Sequence, residues 1–280
     1  MDKRVDTTPS ARATRNRVKE PLRLQPGRSS LFVASVEKAF EVLEAFRDTH
    51  RLMSMAEIAR AAHLDRSATQ RLVHTMEQLG YLRRLPDSAL YGLTSKFLRL
   101  SYNYLRSREI IDRASPYLLE MTHASGETSN LQEMDGHEII FLARFPGRYL
   151  VNVDFAVGSR LPAVFTASGR AMLSRMDPTE RRAIIRATPL VAVTPQTEIE
   201  PALLLQRIEQ AAKQGYAIVQ SQTVVGDISV AAAITDHHGK PVGAINISVP
   251  STRWTVERAA EQLLPHVLLA ATSISQAKGT

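Results

Sequence analysis

A series of hydrogen-bonding side chains recurs along the segment from Arg66 to Leu79. At about 3.6 residues per helical turn, these side chains would share one face of a helix. Each can donate to a phosphate oxygen or to a base edge, and none is acidic, which suits a helix in the major groove of DNA. The residues of this face are Ser67, Thr69, Gln70, Arg71, His74 and Thr75. We predict that they contact DNA; the alternative is an ordinary solvated helix face.

The segment ahead of this face predicts the first helix of a helix-turn-helix. Ser54 and Glu57 have the spacing of a capping box, so a helix is expected from Met55 to Ala62. Its small alanines allow a second helix to cross closely. His63-Leu64-Asp65 then supplies the turn between the two helices.

The second helix of the pair is predicted from Arg66 to Leu79. Asp65 is a good N-cap for this helix, and Gly80 stands where a C′ glycine is expected. The side chains expected to pack inward are Leu72, Met76 and Leu79.

Two short alternating runs follow, and they predict a two-stranded wing. Tyr81 to Leu85 and Ala89 to Leu93 are separated by the turn signal Pro86-Asp87-Ser88. In this wing Arg83 and Arg84 would lie beside a phosphate backbone. Adjacent arginines on an edge strand could instead protect that strand from aggregation.

A third helix ahead of the pair would complete a small core. Ser35 is its predicted cap. The predicted inward stripe consists of Val36, Phe40, Leu43 and Phe46. The winged helix-turn-helix is therefore expected to span residues 31–93.

The basic charge of the chain is concentrated in its amino-terminal part. Residues 1–106 hold 19 Lys and Arg against 11 Asp and Glu, whereas residues 107–280 hold 16 against 17. A surplus confined to the predicted DNA-binding part favours binding to a polyanion. Residues 1–30 are basic and contain little apolar material, so they are predicted to form a disordered leader. This leader would be either a flexible tail or a basic arm that reaches a minor groove.

Composition excludes several classes of protein. The chain has no cysteine, which excludes disulfides and thiolate chemistry. No apolar run approaches the roughly 18 residues of a membrane span, and the leader lacks the apolar stretch of a signal peptide. We therefore expect a soluble, cytoplasmic protein without membrane contact.

An enzyme is the alternative class that the histidines suggest. His237 and His238 are adjacent, but they lie in a predicted hairpin turn, where exposure to solvent explains them. No HExxH, GxSxG or phosphate-loop pattern is present. Asp177 and Glu180 have the positions of a cap and a first-turn acid for a helix that starts at Pro178. We predict no catalysis, no cofactor and no metal.

The length of 280 residues suggests two domains. Residues 94–106 form an amphipathic run without Gly or Pro, which predicts a linker helix whose apolar side could pair with a second subunit. Beyond residue 107 we expect an α+β domain around an antiparallel sheet, with one face covered by helices and the other free to form a pocket. Its predicted strands are 128–134, 138–144, 217–220, 229–235 and 241–249, and its predicted helices are 110–124, 166–174, 178–186, 201–214 and 256–276.

Several motifs in order resemble the IclR family of bacterial transcriptional regulators. The resemblance covers about Ser35 to Gln276. Its most specific pieces are SVEKAFEVLEAF, SATQRLVHTMEQLGYLRR, YGLTSKFLRL, GETSNL, GSRLPAVFTASGRAML, TPQT, KQGYAI and GAINISVP. The resemblance implies a winged helix-turn-helix, a linker helix and a GAF/PAS-like effector-binding domain over residues 107–280. It also implies homodimers or tetramers on near-palindromic double-stranded DNA, and commonly repression of catabolic operons.

The resemblance also implies a pocket for a small organic-acid or aromatic effector. The positions carried over from the family are Ala167, Ser168, Gly169, Val219, Ser229, Asn246 and Ser248. Free backbone N–H groups at the start of the helix near Ser168 would attract a carboxylate. The polar side chains could alternatively be buried groups satisfied by neighbouring backbone.

The chain departs from the family pattern in this region. The family commonly has an acidic pair shortly after the dipeptide Gly215-Tyr216, and this chain has none there. Asp227 instead stands where the family usually has an apolar residue. An effector known for a relative therefore does not transfer directly. An activator of the same type, and an architectural DNA-binding protein without a ligand, are the remaining alternatives.

Overall fold

The computed structural model describes residues 31–46, 51–149 and 155–277. The predicted leader, residues 1–30, lies outside the described residues. The amino-terminal part contains the helices α1 (Ala34–Glu44), α2 (Met55–Ala61) and α3 (Arg66–Gln78) and the strands β1 (Met53–Ser54), β2 (Leu82–Arg84) and β3 (Leu90–Leu93). The strands form an antiparallel sheet in the order β1-β3-β2. The predicted wing is confirmed. Strand β1, which adds a third strand to the wing, was not predicted, because a strand of two residues is too short to show a periodicity.

Local capping bonds set the ends of the helix pair, as predicted. The Glu57 Oε2 atom accepts from the Ser54 backbone N–H at 2.8 Å, and the Ser54 hydroxyl accepts in return from Glu57 N–H at 3.4 Å. Asp65 Oδ1 accepts from the Ala68 N–H at 2.8 Å. Gly80 follows α3 with φ of +75°, the left-handed conformation that terminates helices.

The prediction for α1 is wrong in two respects. Ser35 does not cap it, because the helix begins at Ala34, two residues earlier than predicted, after Val33, which makes no side-chain capping bond. Val42 is fully buried, whereas Val36 and Phe40 are 51% and 59% exposed. The predicted members that do pack against the core are Leu43 and Phe46. The apolar residues of α1 form two overlapping rows, and both have the spacing of a helix face. The row that includes Val42 is the buried one, because the other helices pack on that side.

The linker helix α4 (Lys96–Arg106) starts two residues later than predicted. Thr94 remains in the wing because its hydroxyl donates to the Gly80 carbonyl at 2.6 Å and its N–H to the Tyr81 carbonyl at 3.1 Å. Lys96 Nζ also donates to the Leu79 carbonyl at 2.5 Å. The start of α4 is therefore fastened to the winged helix-turn-helix.

The second domain is built on a six-stranded antiparallel sheet in the order β6-β5-β4-β9-β8-β7. Its strands are β4 (Thr128–Asp135), β5 (Glu138–Phe145), β6 (Arg160–Pro162), β7 (Ala217–Gln220), β8 (Asp227–Thr235) and β9 (Pro241–Pro250). Its helices are α5 (Glu109–Ser125), α6 (Ala167–Leu173), α7 (Pro178–Ala187), α8 (Pro201–Gln214), α9 (Val256–Gln262) and α10 (Leu264–Gln276). The predicted α+β architecture is confirmed. The carboxyl-terminal helix is split at Leu263, because Pro265 cannot continue the hydrogen bonding of a preceding helix.

Both faces of this sheet are covered, whereas one free face was predicted. On β9, Ile245 and Ile247 face the core formed with α5 and α10. Asn246 and Ser248 alternate with them and face the other layer, where α6 packs on β8 and β9. A cavity remains between this second face and α6. Within the described residues, no helix is long and apolar enough to span a membrane.

Gly169 fixes how closely α6 approaches the preceding turn of 163–165. A Cβ atom at this position would lie 2.1 Å from the Ala163 carbonyl oxygen. We therefore expect Gly169→Ala to lower the free energy of unfolding by about 2 kcal/mol or more, since rigid backbone would have to move. Urea denaturation monitored by circular dichroism measures this. An increase in stability, which Gly→Ala usually gives inside helices, would contradict the close packing.

Candidate DNA interface and effector cavity

Helix α3 presents a polar exposed face beside the wing. The predicted residues that are exposed on it are Ser67, Gln70, Arg71, His74 and Thr75. Capping by Asp65 and burial of Val73 and Met76 on the opposite side hold the helix in this orientation. The structure thus brings together on one exposed face side chains that are able to donate to base edges.

Two predictions about α3 are wrong. Thr69 is fully buried and donates its hydroxyl to the Asp65 carbonyl at 2.8 Å, so it does not belong to the exposed face. Threonine often forms this backbone bond inside a helix. Leu79, expected to pack inward, is 51% exposed because α3 ends at Gln78 and Leu79 is only its C-cap.

Both wing arginines are exposed. Arg83 and Arg84 lie on β2, and Arg84 Nε donates to the Ser88 carbonyl across the turn at 3.2 Å. Asp87 adopts a φ of +55° in this turn, which Asp tolerates better than most residues. The wing therefore places two cations on the same domain as the exposed face of α3.

The cavity in the second domain lies between the sheet and the start of α6 and has a volume of about 40 Å³. Its walls contain Thr128, Asn130, Gln132, Ile139, Phe141, Arg144, Phe155, Leu161, Thr166, Ala167, Ser168, Val219, Thr223, Asp227, Ser229, Asn246 and Ser248. All but one of the predicted effector-binding residues border it. The exception is Gly169, whose N–H is already bound to the Thr166 hydroxyl at 3.0 Å and which packs on Ala163.

Asn246 is the centre of a polar network on the sheet side of the cavity. Its Oδ1 atom accepts from Asn130 Nδ2 and from Gln132 Nε2, each at 3.0 Å. Its Nδ2 atom donates to the Ser229 hydroxyl at 2.6 Å. The Ser168 hydroxyl of α6 donates to Gln132 Oε1 at 2.9 Å and so ties the helix to the sheet. These amides have fixed positions because each is held by a neighbour.

Two charged residues of opposite sign border the same cavity. Arg144 Nη1 donates to Asn130 Oδ1 at 3.0 Å. Asp227 accepts a hydrogen bond from the Ser248 hydroxyl. Burial raises the pKa of Asp227 to about 6, although the Ser248 bond and the charge of Arg144 act in the opposite direction.

Asp227 gives the stability of the protein a specific pH dependence. Because its pKa is raised to about 6 by burial, the neutral carboxyl stabilises the fold at low pH, and this contribution is lost as pH rises from about 4 to 6. Asp227→Asn should therefore be more stable than the wild type at pH 8 by on the order of 1 to 3 kcal/mol. The difference should vanish near pH 4. Urea denaturation of both proteins at the two pH values checks the sign, and a difference independent of pH would refute it.

The remaining wall of the cavity is apolar. Phe141 and Phe155 stack with ring centroids 5.2 Å apart, and Ile139 and Leu161 lie beside them. A ligand with a polar head and a flat or apolar body matches this division.

Several residues of this cavity were not predicted from the sequence. Thr128, Asn130 and Gln132 alternate with Ser129 and Leu131 along β4, and this period of two was the available signal. The side chains of Arg144 and Phe155 carried no such signal. The position of Arg144 and Phe155 in the cavity wall depends on how segments that are distant in the sequence pack together.

The second domain contacts the linker helix through Glu133. This residue follows Gln132 on β4 and therefore points to the opposite side of the sheet. Glu133 is 6% exposed, and its carboxylate accepts from the Tyr104 hydroxyl of α4 and pairs with Arg108. Burial and the Glu133 carboxylate raise the pKa of Tyr104 above its usual value.

The histidine pair and the acids considered for catalysis lie apart from the cavity. His237 and His238 are exposed in the turn between β8 and β9, with ring centroids 3.8 Å apart. Asp177 accepts from the Thr179 N–H at 2.7 Å and caps α7, as predicted. Glu180 is exposed in the first turn of that helix. No described group of His, Asp and Glu has the arrangement of a metal site.

Two family models together match most of the chain. The IclR helix-turn-helix domain matches residues 35–86, and the carboxyl-terminal domain of bacterial transcriptional regulators of the IclR type matches residues 102–276. Among curated proteins, the Pca regulon regulatory protein of Pseudomonas putida is 33% identical over 86% of this chain and 82% of its own length. The transcriptional repressor IclR of Escherichia coli strain K12 is 28% identical over 82% and 84%.

Solved structures show the same architecture. A transcriptional regulator from Rhodococcus sp. RHA1 superposes with a TM-score of 0.75 at 29% identity, covering 88% of this chain and 98% of that one. The IclR protein of Thermotoga maritima gives 0.67 at 26% identity, covering 87% and 98%. The chain therefore belongs to the IclR family of bacterial transcriptional regulators, DNA-binding proteins with a carboxyl-terminal effector-binding domain.

Proposed function

We propose that this protein represses a catabolic operon in the cytoplasm and is released from its operator by a small carboxylate with a flat or apolar body. The relative from Pseudomonas putida regulates the Pca regulon, and two others, 28% identical, are the E. coli repressor IclR and the acetate operon repressor of Salmonella typhimurium. The names of these relatives support repression as the mode of regulation and an organic acid as the class of effector. The cavity supports the ligand class by its chemistry.

The two ends of the cavity suit the two ends of such a ligand. Arg144 and the amides around Asn246 provide donors for a carboxylate. Phe141 and Phe155 provide a surface for an aromatic or aliphatic body. Asp227 restricts the choice, because above pH 6 its charge repels a second carboxylate placed beside it.

The observation that carries the proposal is that one strand joins the cavity to the linker helix. On one face of β4, Asn130 and Gln132 border the cavity. On the other face, Glu133 holds Tyr104, in the last turn of α4, and Arg108, just before α5. A ligand that repositions β4 or stabilises one of its positions would therefore shift the linker, which is fastened to the wing at its other end.

For DNA binding we propose a dimer that inserts two α3 helices into successive major grooves of a near-palindromic operator. The five exposed polar residues of α3 would contact bases and phosphates, and Arg83 and Arg84 would contact phosphates. The apolar side chains Leu98 and Tyr102 of α4 are 69% and 62% exposed, which supports pairing with a second subunit. Two such dimers could associate as a tetramer.

The test is fluorescence anisotropy with operator DNA and a panel of carboxylates that includes acetate, benzoate and 4-hydroxybenzoate. We expect at least one to release the protein, and Arg144→Gln to raise the required concentration about tenfold or more through loss of a charged hydrogen bond. Arg186→Gln, an exposed arginine of α7 outside the cavity, is the control. Equal responses of Arg144→Gln and the control would exclude this cavity as the effector site, and a reporter gene silenced by the protein would establish repression.

A further inference from the structure

A second cavity adjoins the effector cavity, with Val219 of β7 in the walls of both. It has a volume of about 460 Å³ and is bounded mainly by α8, β7 and α9. Its walls carry two arginines, Arg170 of α6 and Arg207 of α8, together with several glutamines. A concave surface with two cations and many neutral hydrogen-bonding groups has the composition of an anion site.

Arg170 is buried without an anionic partner. It is 5% exposed, and its Nε atom donates to the Val164 carbonyl at 2.7 Å and its Nη2 atom to Gln222 Oε1 at 3.1 Å. Both acceptors are neutral, and no ion pair to Arg170 or Arg207 occurs among the residues that the structure describes. Burial, aided by the charge of Arg207, lowers the pKa of Arg170 to about 10. A buried charge of this kind is costly unless it is paired.

Arg181 shows how a purely structural buried arginine differs. It is 7% exposed, and it donates to three backbone carbonyls, those of Leu173, Ser174 and Met176. These bonds satisfy backbone carbonyl groups at the carboxyl end of α6 and just after it. Arg181 borders none of the described cavities. Arg170 has one backbone acceptor and borders a cavity that contains a second arginine.

The acidic side chain in the wall of the second cavity and the one whose charge acts on Arg170 are both engaged elsewhere. Glu257 is in the wall, but bonds from its own backbone and from Thr255 hold its carboxylate at the start of α9 and lower its pKa. Glu198 Oε1 accepts from the Glu200 N–H at 3.2 Å. Its charge acts on Arg170 only through space, since the two form no ion pair.

We propose that this second cavity binds a small organic carboxylate between the guanidinium groups of Arg170 and Arg207. A planar guanidinium matches the two oxygens of a carboxylate, and the surrounding glutamine amides can bind further polar groups of the ligand. The site is separate from the effector cavity but shares two elements with it. Val219 of β7 borders both cavities, and Ser168 and Arg170 of α6 border one each.

Isothermal titration calorimetry of the full chain with succinate as the probe tests this. We expect Arg207→Gln to weaken one binding event about tenfold or more, through loss of a charged partner. Arg186→Gln, which also removes one exposed positive charge, should bind succinate as the wild type does. Arg170→Gln should act like Arg207→Gln, but Arg207→Gln decides the question if the buried substitution prevents folding.

The two cavities are distinguished by adding Arg144→Gln. If both sites exist, Arg207→Gln weakens the binding of succinate, whereas Arg144→Gln weakens the binding of benzoate, because Asp227 disfavours a dicarboxylate in the effector cavity. Succinate binding that is equal in Arg207→Gln and Arg186→Gln, or a single event lost only in Arg144→Gln, would overturn the second site without affecting the first.

Discussion

Replacing Arg71 by alanine is expected to weaken binding to the operator by about 1 to 3 kcal/mol and to relax the preference at one base pair. Arg71 lies in the middle of α3 and is exposed, beside Gln70 and His74. This face points outward because Val73 and Met76 are buried on the opposite side of the helix. An arginine at such a position can form two hydrogen bonds to a guanine edge, which alanine cannot replace. Anisotropy titrations with the operator and with single-base variants measure both effects.

Arg84→Ala provides the matched control for this experiment. Arg84 is exposed on the wing, where we propose that it contacts phosphate. Its loss should weaken all DNA sequences alike and reduce the slope of affinity against salt by about one, whereas Arg71→Ala should change discrimination between sequences. If Arg71→Ala retained both affinity and specificity, α3 would not be the reading helix.

Replacing Glu133 by glutamine is expected to separate effector binding from DNA release. The substitution keeps the shape of the side chain but removes the charge that pairs with Arg108 and accepts from Tyr104. Glu133 lies on the face of β4 opposite the cavity, so effector affinity measured on the protein alone should change little. The coupling between effector and DNA, typically 1 to 3 kcal/mol in allosteric proteins, should largely disappear. The ratio of DNA affinities with and without effector measures it.

Glu138→Gln is the control for this second experiment. Glu138 lies on the neighbouring strand β5 and forms its ion pair with Arg160 at 2.9 Å, not with Tyr104 or Arg108. Its substitution should leave the coupling unchanged. If Glu133→Gln and Glu138→Gln behaved alike, the contact between β4 and α4 would not transmit the signal.

The local elements of the fold could be predicted because their causes lie within a few residues of the chain. Ser54 with Glu57, and Asp65 with Gly80, set the ends of α2 and α3 through bonds spanning three to five residues. Elements without such signals were missed: β1 and β6 have only two and three residues. Periodicity also could not choose between two stripes on α1, since that choice depends on the position of its neighbours.

The candidate sites were predicted unequally for the same reason. The exposed face of α3 is a property of one helix, and of its predicted residues only Thr69 is buried, because its hydroxyl donates to the Asp65 carbonyl. The effector cavity was located mainly by resemblance to a family, and the residues that give it charge and an aromatic wall, Arg144 and Phe155, were not found. Gly169 was predicted to line the cavity. In the structure it instead allows α6 to pack closely against Ala163.

The helix-turn-helix, the alternation of the strands and the family resemblance could be predicted from the residues alone, because these depend on spacing and short-range bonds. Which side chains share a cavity depends instead on how distant segments pack together. Asn130 and Asn246 are 116 residues apart in the chain, yet pairing of β4 with β9 sets their amides 3.0 Å from each other. The same pairing turns Glu133 toward the linker. Strand order and register are products of the whole core, and no local pattern specifies them.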